Sequence, residues 1–380
     1  MVDQTNLNDS TASFARLEAS FGKAIEDGIF PGVVVAATEK TGSLRYIKAF
    51  GKSACDGTGV PLSSASVMAF ASMTKLMTSI AALQLVERGL IGLDEDAGPL
   101  LLDLAQIKIL TGWNEDGTPL LRERKNQITL RQLLTHSAGT GYDMTNSELA
   151  KLSVFRARQI NSGETYGTGI DWAGQLVEKV SGQDLESYMQ DNIWSPLGIQ
   201  RITFWPATKP DIHSHQIQMA KRDPHSRRGV TECFGGQGAY GDMESFLKIL
   251  FSLLVNDGKL LSRETTAEMF KPQLSHPSKH CLNEYIKSHP WNTLIGIFDT
   301  ELEYDWGLGG ILTTQNTPSG RRKGTLLWSG KPDLFWFIDR VSRLCGDFGV
   351  QVLPPGGEEI GKMIQIFERT LYSALAAHTL

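Results

Sequence analysis

The spacing of hydrophobic positions changes from helical to extended within the first fifty residues. Apolar side chains recur every three or four residues over residues 12–27 and predict an amphipathic helix there. A Pro-Gly pair ends this pattern, and the apolar runs at 33–35 and 44–50 flank a turn rich in small and polar residues. These two runs predict a β-hairpin directly after the first helix.

Helical spacing dominates the middle of the chain, and strand-like runs return only near its end. The strongest helical pattern runs from Ser72 to Arg88 and is closed by Gly89. Further helices are predicted at 129–136, 169–180, 184–193, 243–255 and 264–270. Strands are predicted at 310–314, 324–328, 334–338 and 348–353, followed by a last amphipathic helix at 357–375.

Strands at the two ends of the chain, with helices between them, favour one fold class. An isolated hairpin is marginally stable, so we expect the N-terminal hairpin to pair with the C-terminal strands. The sequence therefore predicts an α+β protein: an antiparallel sheet flanked by the terminal helices, with a large, mostly helical insertion. We expect one domain over 1–380, with an α/β lobe at about 1–90 and 290–380 and a helical lobe at about 91–289. A cleft between the lobes is a natural place for a site.

Composition and charge exclude several classes of protein. A net charge of −5 gives no reason to expect nucleic acid as a partner. Residues 1–11 are polar and lack the apolar core of a signal peptide, and the longest apolar stretches are too short to span a bilayer. The four cysteines are widely spaced, which is typical of reduced thiols rather than of a metal site. We therefore expect a cytoplasmic enzyme-sized protein without metal or cofactor and without a membrane partner.

The motif Ser-x-x-Lys, which can pair a nucleophile with a base, begins at Ser20, Ser72 and Ser245. Residues three apart on a helix share a face, so the lysine amine can reach the hydroxyl and take its proton. Only Ser72 stands at the start of a helix, and apolar residues surround Lys75. A lysine that acts as a base at neutral pH needs its pKa lowered by about three units, which burial can provide. Taken alone, Ser72 could equally be a simple helix N-cap.

Several blocks along the chain resemble one enzyme family. Phe70-Ala71-Ser72-Met73-Thr74-Lys75, and the stretch 128–139 that includes Leu134-Thr135-His136-Ser137, resemble the serine β-lactamase superfamily, in particular class C enzymes and family VIII carboxylesterases. The resemblance to the fungal lovastatin-type acyltransferase group is closer. It is carried by Leu121-Arg122-Glu123-Arg124, Tyr166-Gly167-Thr168, Asp171-Trp172-Ala173-Gly174, Glu232-Cys233-Phe234-Gly235-Gly236-Gln237-Gly238 and Gly307-Leu308-Gly309-Gly310.

The resemblance implies roles for individual residues. Ser72 would be the nucleophile, Lys75 its base, and Tyr166 the phenol that shuttles the proton. Trp328-Ser329-Gly330 would replace the Lys-Thr-Gly strand that lines the substrate site, with Trp328 as an apolar wall or simply a core residue. The backbone N–H groups of Ser72 and Lys331 would form the oxyanion hole.

These roles imply a serine acyltransferase that moves an acyl group from an ester or thioester to an alcohol through an acyl-enzyme, in polyketide-type secondary metabolism. An acyl carrier protein is one candidate donor. A carboxylesterase that hydrolyses small esters is the alternative, and a non-catalytic binding protein of the same fold is a third. The sequence does not identify donor, acceptor or acyl chain length.

Two further patterns have simpler explanations than catalysis. Residues 236–241 match Gly-x-Gly-x-x-Gly, but no suitable strand precedes them, so we expect a tight loop near the cleft rather than a nucleotide site. His136 and Ser137 are adjacent at a helix end and point to different sides, which favours a local structural role.

Overall fold

The computed structural model describes residues 4–54, 59–141, 148–149, 151–152, 169–217, 219–221, 233–288, 298–353 and 355–379. Within these ranges every helix is too short or too polar to cross a membrane.

Helices dominate the middle of the chain, and most of the longer strands lie towards its two ends. The helices are α1 (Gln4–Glu26), α2 (Thr74–Glu87), α3 (Leu102–Ala105), α4 (Leu130–Leu134), α5 (Gly169–Ser181), α6 (Leu185–Met189), α7 (Pro210–Ser214), α8 (Met243–Val255), α9 (Arg263–Met269), α10 (His276–Ser288) and α11 (Glu358–Thr379). The strands are β1 (Gly32–Glu39), β2 (Arg45–Gly51), β3 (Met68–Ala69), β4 (Ile109–Trp113), β5 (Pro119–Arg122), β6 (Ile202–Thr203), β7 (Ala220–Lys221), β8 (Tyr240–Gly241), β9 (Tyr304–Trp306), β10 (Ile311–Thr313), β11 (Leu326–Gly330), β12 (Leu334–Asp339), β13 (Leu344–Gly349) and β14 (Val352–Leu353).

In the described part of the chain, seven strands form an antiparallel sheet in the order β2-β1-β13-β12-β11-β10-β9. The N-terminal hairpin joins the C-terminal strands through β1 and β13, with Val34 opposite Gly349 and Glu39 opposite Leu344. The predicted α+β architecture is confirmed. The boundaries of the two lobes near residues 91 and 289 stay a prediction.

Both faces of the sheet are covered by helices. All eight residues of β1 are buried, which explains its unbroken apolar run. Val33 and Val35 pack into the cluster that contains side chains of α1 and α11, whereas Val34 and Ala36 belong to the cluster that contains α8. The sheet is therefore the middle of three layers.

Helix α2 runs through the interior, where the sheet meets the helical insertion. Every residue from Thr74 to Leu85 is buried, so the helix is not amphipathic but enclosed on all sides. It packs along α5. The N-terminal end of α2 consequently brings Ser72 and Lys75 to the boundary between the two parts of the fold.

Some sequence predictions fail in their details. The strand predicted at 348–353 is wrong: β13 ends at Gly349, and β14 pairs with β7 instead. A buried Asp347 and two glycines in β13 break the apolar pattern that would have marked the strand. The β4–β5 hairpin, β9 and α10 were not predicted; in α10, Pro277 occupies the first turn, where proline is tolerated.

A buried ion pair ties the loop between β10 and β11 to α11. The Arg321 guanidinium donates to both carboxylate oxygens of Glu368, at 2.7 Å from Nε and 2.6 Å from Nη2. The two side chains are only 2% and 0% exposed. Either charge alone would be left in a low-dielectric interior without its partner.

We expect Arg321→Ala to lower the free energy of unfolding by about 3–5 kcal/mol, since Glu368 would remain buried and unpaired. The double variant Arg321→Met with Glu368→Leu removes both charges and is expected to be distinctly more stable than the single variant. Urea unfolding of the three proteins measures this. If the free energy of unfolding of Arg321→Ala falls by only about 1 kcal/mol, as for an exposed ion pair, the buried pair is not important for stability.

Candidate active site

Ser72 lies on a tight turn between β3 and α2. The turn is a 3-10 helix over Ala71–Met73 that leads directly into α2. The sequence predicted that the α-helix begins at Ser72, whereas in the structure Ser72 precedes it. Ala71 has a φ of +45°, a left-handed conformation that is uncommon for a residue with a side chain. Backbone strain of this kind is often found at functional sites.

The Lys75 amine is held between a hydroxyl and a backbone carbonyl. Its Nζ donates to Ser72 Oγ at 2.9 Å and to the Gly236 carbonyl at 2.7 Å. Lys75 is 3% exposed, so these contacts replace water around the amine. The hydroxyl and the amine are therefore already within the distance needed for proton transfer.

Two opposing effects set the pKa of Lys75. Burial lowers it from 10.5 to about 8, and the negative charge of Asp171 opposes this decrease. The direction agrees with the requirement for a base, although the decrease is smaller than the three units considered above. Just below pH 8 a substantial fraction of the amine is neutral and able to accept a proton.

A glycine turn supplies the carbonyl that holds Lys75. Thr78 Oγ1 donates to the Gly235 carbonyl at 2.6 Å, and the Gly236 N–H donates to Asp171 Oδ1 at 2.8 Å. A Cβ on Gly236 would lie 2.7 Å from that carboxylate oxygen, so any side chain there would have to push the carboxylate away. The Gly-x-Gly-x-x-Gly pattern is thus a turn at the candidate site, and the pattern alone does not show that the Gly236 carbonyl binds Lys75.

The predicted third motif lies beside the turn that carries Ser72. Trp328-Ser329-Gly330 forms the end of β11. A Cβ on Gly330 would come within 2.3 Å of the Phe70 carbonyl, so the strand end and the segment before Ser72 touch. Lys331 follows at once. The direction of its N–H, and hence the oxyanion hole, remains a prediction.

Aromatic rings adjoin this strand. Trp328 is half-buried, and its ring meets that of Trp306 edge-on, with 4.7 Å between centroids. Trp306 also meets the His136 ring at 4.9 Å, and its Nε1 donates to the Leu134 carbonyl at 3.2 Å. Trp306 of β9 therefore links the end of β11 to the end of α4.

His136 and Ser137 do not form a base and nucleophile pair. Ser137 Oγ is hydrogen-bonded to Thr135 Oγ1 at 2.9 Å. Burial, with a smaller contribution from the charge of Lys75, lowers the pKa of His136 to about 3, so its imidazole is neutral at ordinary pH. The local structural role that the sequence favoured is consistent with this geometry.

One predicted site residue cannot be placed in the structure. Tyr166, the predicted proton shuttle, lies outside the described residues. No group of three or more His, Cys, Asp or Glu side chains that could hold a metal ion lies within the described ranges.

Comparison with known proteins gives the family. The family model described as Beta-lactamase matches residues 14–342. This chain belongs to the β-lactamase family.

Individual members of the β-lactamase family are similar over nearly the whole length. A monacolin J acid methylbutanoyltransferase of Aspergillus terreus is 33% identical, covering 94% of this chain and 95% of the relative. A lovastatin esterase of Penicillium rubens is 34% identical, covering 95% and 99%. The solved structure of simvastatin synthase (LovD) from Aspergillus terreus, in its LovD6 mutant form, covers 99% of both chains with a TM-score of 0.88 and 34% identity.

These similarities confirm the lovastatin-type group that the sequence motifs indicate. The chain is an enzyme of the acyltransferase and esterase kind built on the β-lactamase fold.

Proposed function

We propose that this enzyme transfers an acyl group from a small-molecule ester or thioester to an alcohol through an acyl-enzyme on Ser72. The observation that carries the proposal is the 2.9 Å contact between Lys75 Nζ and Ser72 Oγ at a buried amine. The relatives named as acyltransferases support transfer as the reaction.

In the first half-reaction, neutral Lys75 takes the proton of Ser72 Oγ as that oxygen attacks the donor carbonyl carbon. The resulting oxyanion is stabilised by the backbone N–H groups of Ser72 and Lys331. The carbon–oxygen or carbon–sulfur bond to the leaving group then breaks. The leaving group receives the proton from the Lys75 ammonium by way of the Tyr166 hydroxyl.

The second half-reaction reverses the proton movement. The acceptor alcohol gives its proton through Tyr166 to Lys75 while its oxygen attacks the acyl carbon. The bond from that carbon to Ser72 Oγ breaks, and Oγ regains the proton. No net proton is gained or lost in the complete transfer.

The strand end Trp328-Ser329-Gly330 is proposed to line the acyl group. A cation at position 328 would favour a charged substrate, whereas the half-buried Trp328 ring offers an apolar surface. Each methylene buried against it would contribute about 0.8 kcal/mol to binding. Neutral acyl donors are therefore favoured over donors that place a carboxylate at this point.

The metabolic setting and one candidate donor are part of the same proposal. We propose a role in polyketide-type secondary metabolism, with an acyl carrier protein as one candidate thioester donor. The free thiols of Cys233 and Cys345 support a reducing, cytoplasmic location.

Hydrolysis is the second candidate function. The 34% identity to a protein named lovastatin esterase supports it, since the same acyl-enzyme can pass its acyl group to water. A non-catalytic binding protein would have no need of a lysine amine held against a serine hydroxyl.

We expect an activated short-chain ester to leave one acyl group on Ser72, visible as a mass increase of the intact protein. Ser72→Ala should show no adduct. Lys75→Ala and Tyr166→Phe should each lower kcat by at least about a hundredfold, the usual scale for loss of general acid–base help. An adduct that survives in Ser72→Ala would refute the nucleophile, and wild-type acylation rates in both other variants would refute the proton path.

We expect alcohol acceptors to receive more of the acyl group than water does, because a transferase must hold the acceptor at the acyl-enzyme. The measurement is the ratio of new ester to free acid, by chromatography, over a series of added alcohols, with Ser72→Ala as the control for uncatalysed reaction. Hydrolysis that dominates with every alcohol would instead establish the esterase.

A further inference from the structure

Asp171 occupies the first turn of α5 and is buried, with 5% of its surface exposed. Its Oδ1 accepts the hydrogen bond from the Gly236 N–H at 2.8 Å. All three carboxylate atoms lie against the Gly236 α-carbon, since a Cβ there would meet Oδ1, Oδ2 and Cγ at 2.7, 2.8 and 2.9 Å. The carboxylate therefore fixes the position of this one residue closely.

Gly236 links the position of the Asp171 carboxylate to that of the Lys75 amine. Its N–H is bound by Asp171, while its carbonyl accepts the hydrogen bond from Lys75 Nζ at 2.7 Å. The two groups flank the same α-carbon. A movement of the carboxylate would consequently move the carbonyl that holds the amine against Ser72.

The neighbouring residues leave the turn little room to adjust. A Cβ on Gly235 would lie 3.0 Å from the Ile170 carbonyl and 3.1 Å from both the Gly174 α-carbon and the Thr78 methyl group. The turn is thus enclosed by α5 on one side and α2 on the other. The blocks Asp171-Trp172-Ala173-Gly174 and Gly235-Gly236, far apart in the sequence, are therefore in contact in the fold.

The charges that face Lys75 come from different elements. Asp171 on α5 raises the pKa of Lys75, while burial lowers it. His136, after α4, is close enough to interact with Lys75, but its ring is neutral because burial lowers its pKa to about 3. Tyr166 lies outside the described residues. Among the described groups, Asp171 is therefore the anion that stabilises the ammonium form.

We propose that Asp171 is a positioning residue of the acyl-transfer reaction: it acts through Gly236 to hold the Lys75 amine against Ser72, and it supplies the negative charge opposite that amine. The proposal rests on the proposed function, in which Lys75 is the base.

The test is the pH profile of kcat/KM for a nitrophenyl ester. In the wild-type enzyme we expect kcat/KM to rise with pH and to level off near the Lys75 pKa of about 8. Asp171→Asn keeps an oxygen that can accept from Gly236 but removes the charge, so the ammonium loses its proton at lower pH. The rising limb should move down by at least about one pH unit, with the plateau within about tenfold of wild type.

Asp242→Asn is the matched control. Asp242 is also buried, and its carboxylate also accepts from a backbone N–H, that of Ser245 at 2.7 Å. A general effect of removing a buried carboxylate would shift both profiles alike. The proposal requires that only Asp171→Asn moves the limb, and an unmoved limb in Asp171→Asn overturns it.

Gly236→Ala tests the same contact from the other side and serves if Asp171→Asn does not fold. The added Cβ would lie 2.7 Å from Asp171 Oδ1 and force the carboxylate and the turn apart, so we expect kcat to fall by about a hundredfold with KM changed far less. A wild-type kcat in Gly236→Ala overturns the proposal. Failure of the proposed function has a separate sign: the limb near pH 8 would persist in the residual activity of Lys75→Ala.

Discussion

Lys75 places an amine in the interior of the protein, where an ionised group without partners would cost several kcal/mol. Its partners within the described ranges include Ser72 Oγ at 2.9 Å and the Gly236 carbonyl at 2.7 Å. Both contacts use the same Nζ, so the hydroxyl and the carbonyl must lie close together. The Ser72 hydroxyl and the glycine turn must therefore be positioned together by the fold.

Three elements of the fold, α2, α5 and the end of β11, position these groups. Helix α2, enclosed on all sides, fixes Lys75 at its first turn. Helix α5 brings Asp171 to the glycine turn, and the end of β11 closes against the segment before Ser72. The sheet joins the N-terminal hairpin to the C-terminal strands, so the parts of the site, although far apart in sequence, meet beside one helix.

The sequence predicts the fold class, Ser72 and Lys75 because each has a local pattern: alternation or helical spacing for the elements, and a three-residue separation for the pair. It does not reveal that Gly236 binds Lys75. Carbonyl groups are present at every residue, and only the close packing of α5 shows which one faces the amine. The sequence also predicts a strand at 348–353 instead of β13 at Leu344–Gly349. The buried Asp347 interrupts the apolar pattern there, and only the folded structure shows that this carboxylate lies in the interior.

The proposed mechanism requires that a substantial fraction of the Lys75 amine is neutral near pH 8. Its pKa can be measured directly by NMR titration of protein labelled with ¹³C at the lysine side chains, with the Lys75 signal assigned from its absence in Lys75→Arg. We expect the Lys75 signal to titrate near pH 8, well apart from lysines with the ordinary pKa near 10.5. A Lys75 signal that titrates together with those lysines would contradict it, because the amine would then be fully protonated when the enzyme acts.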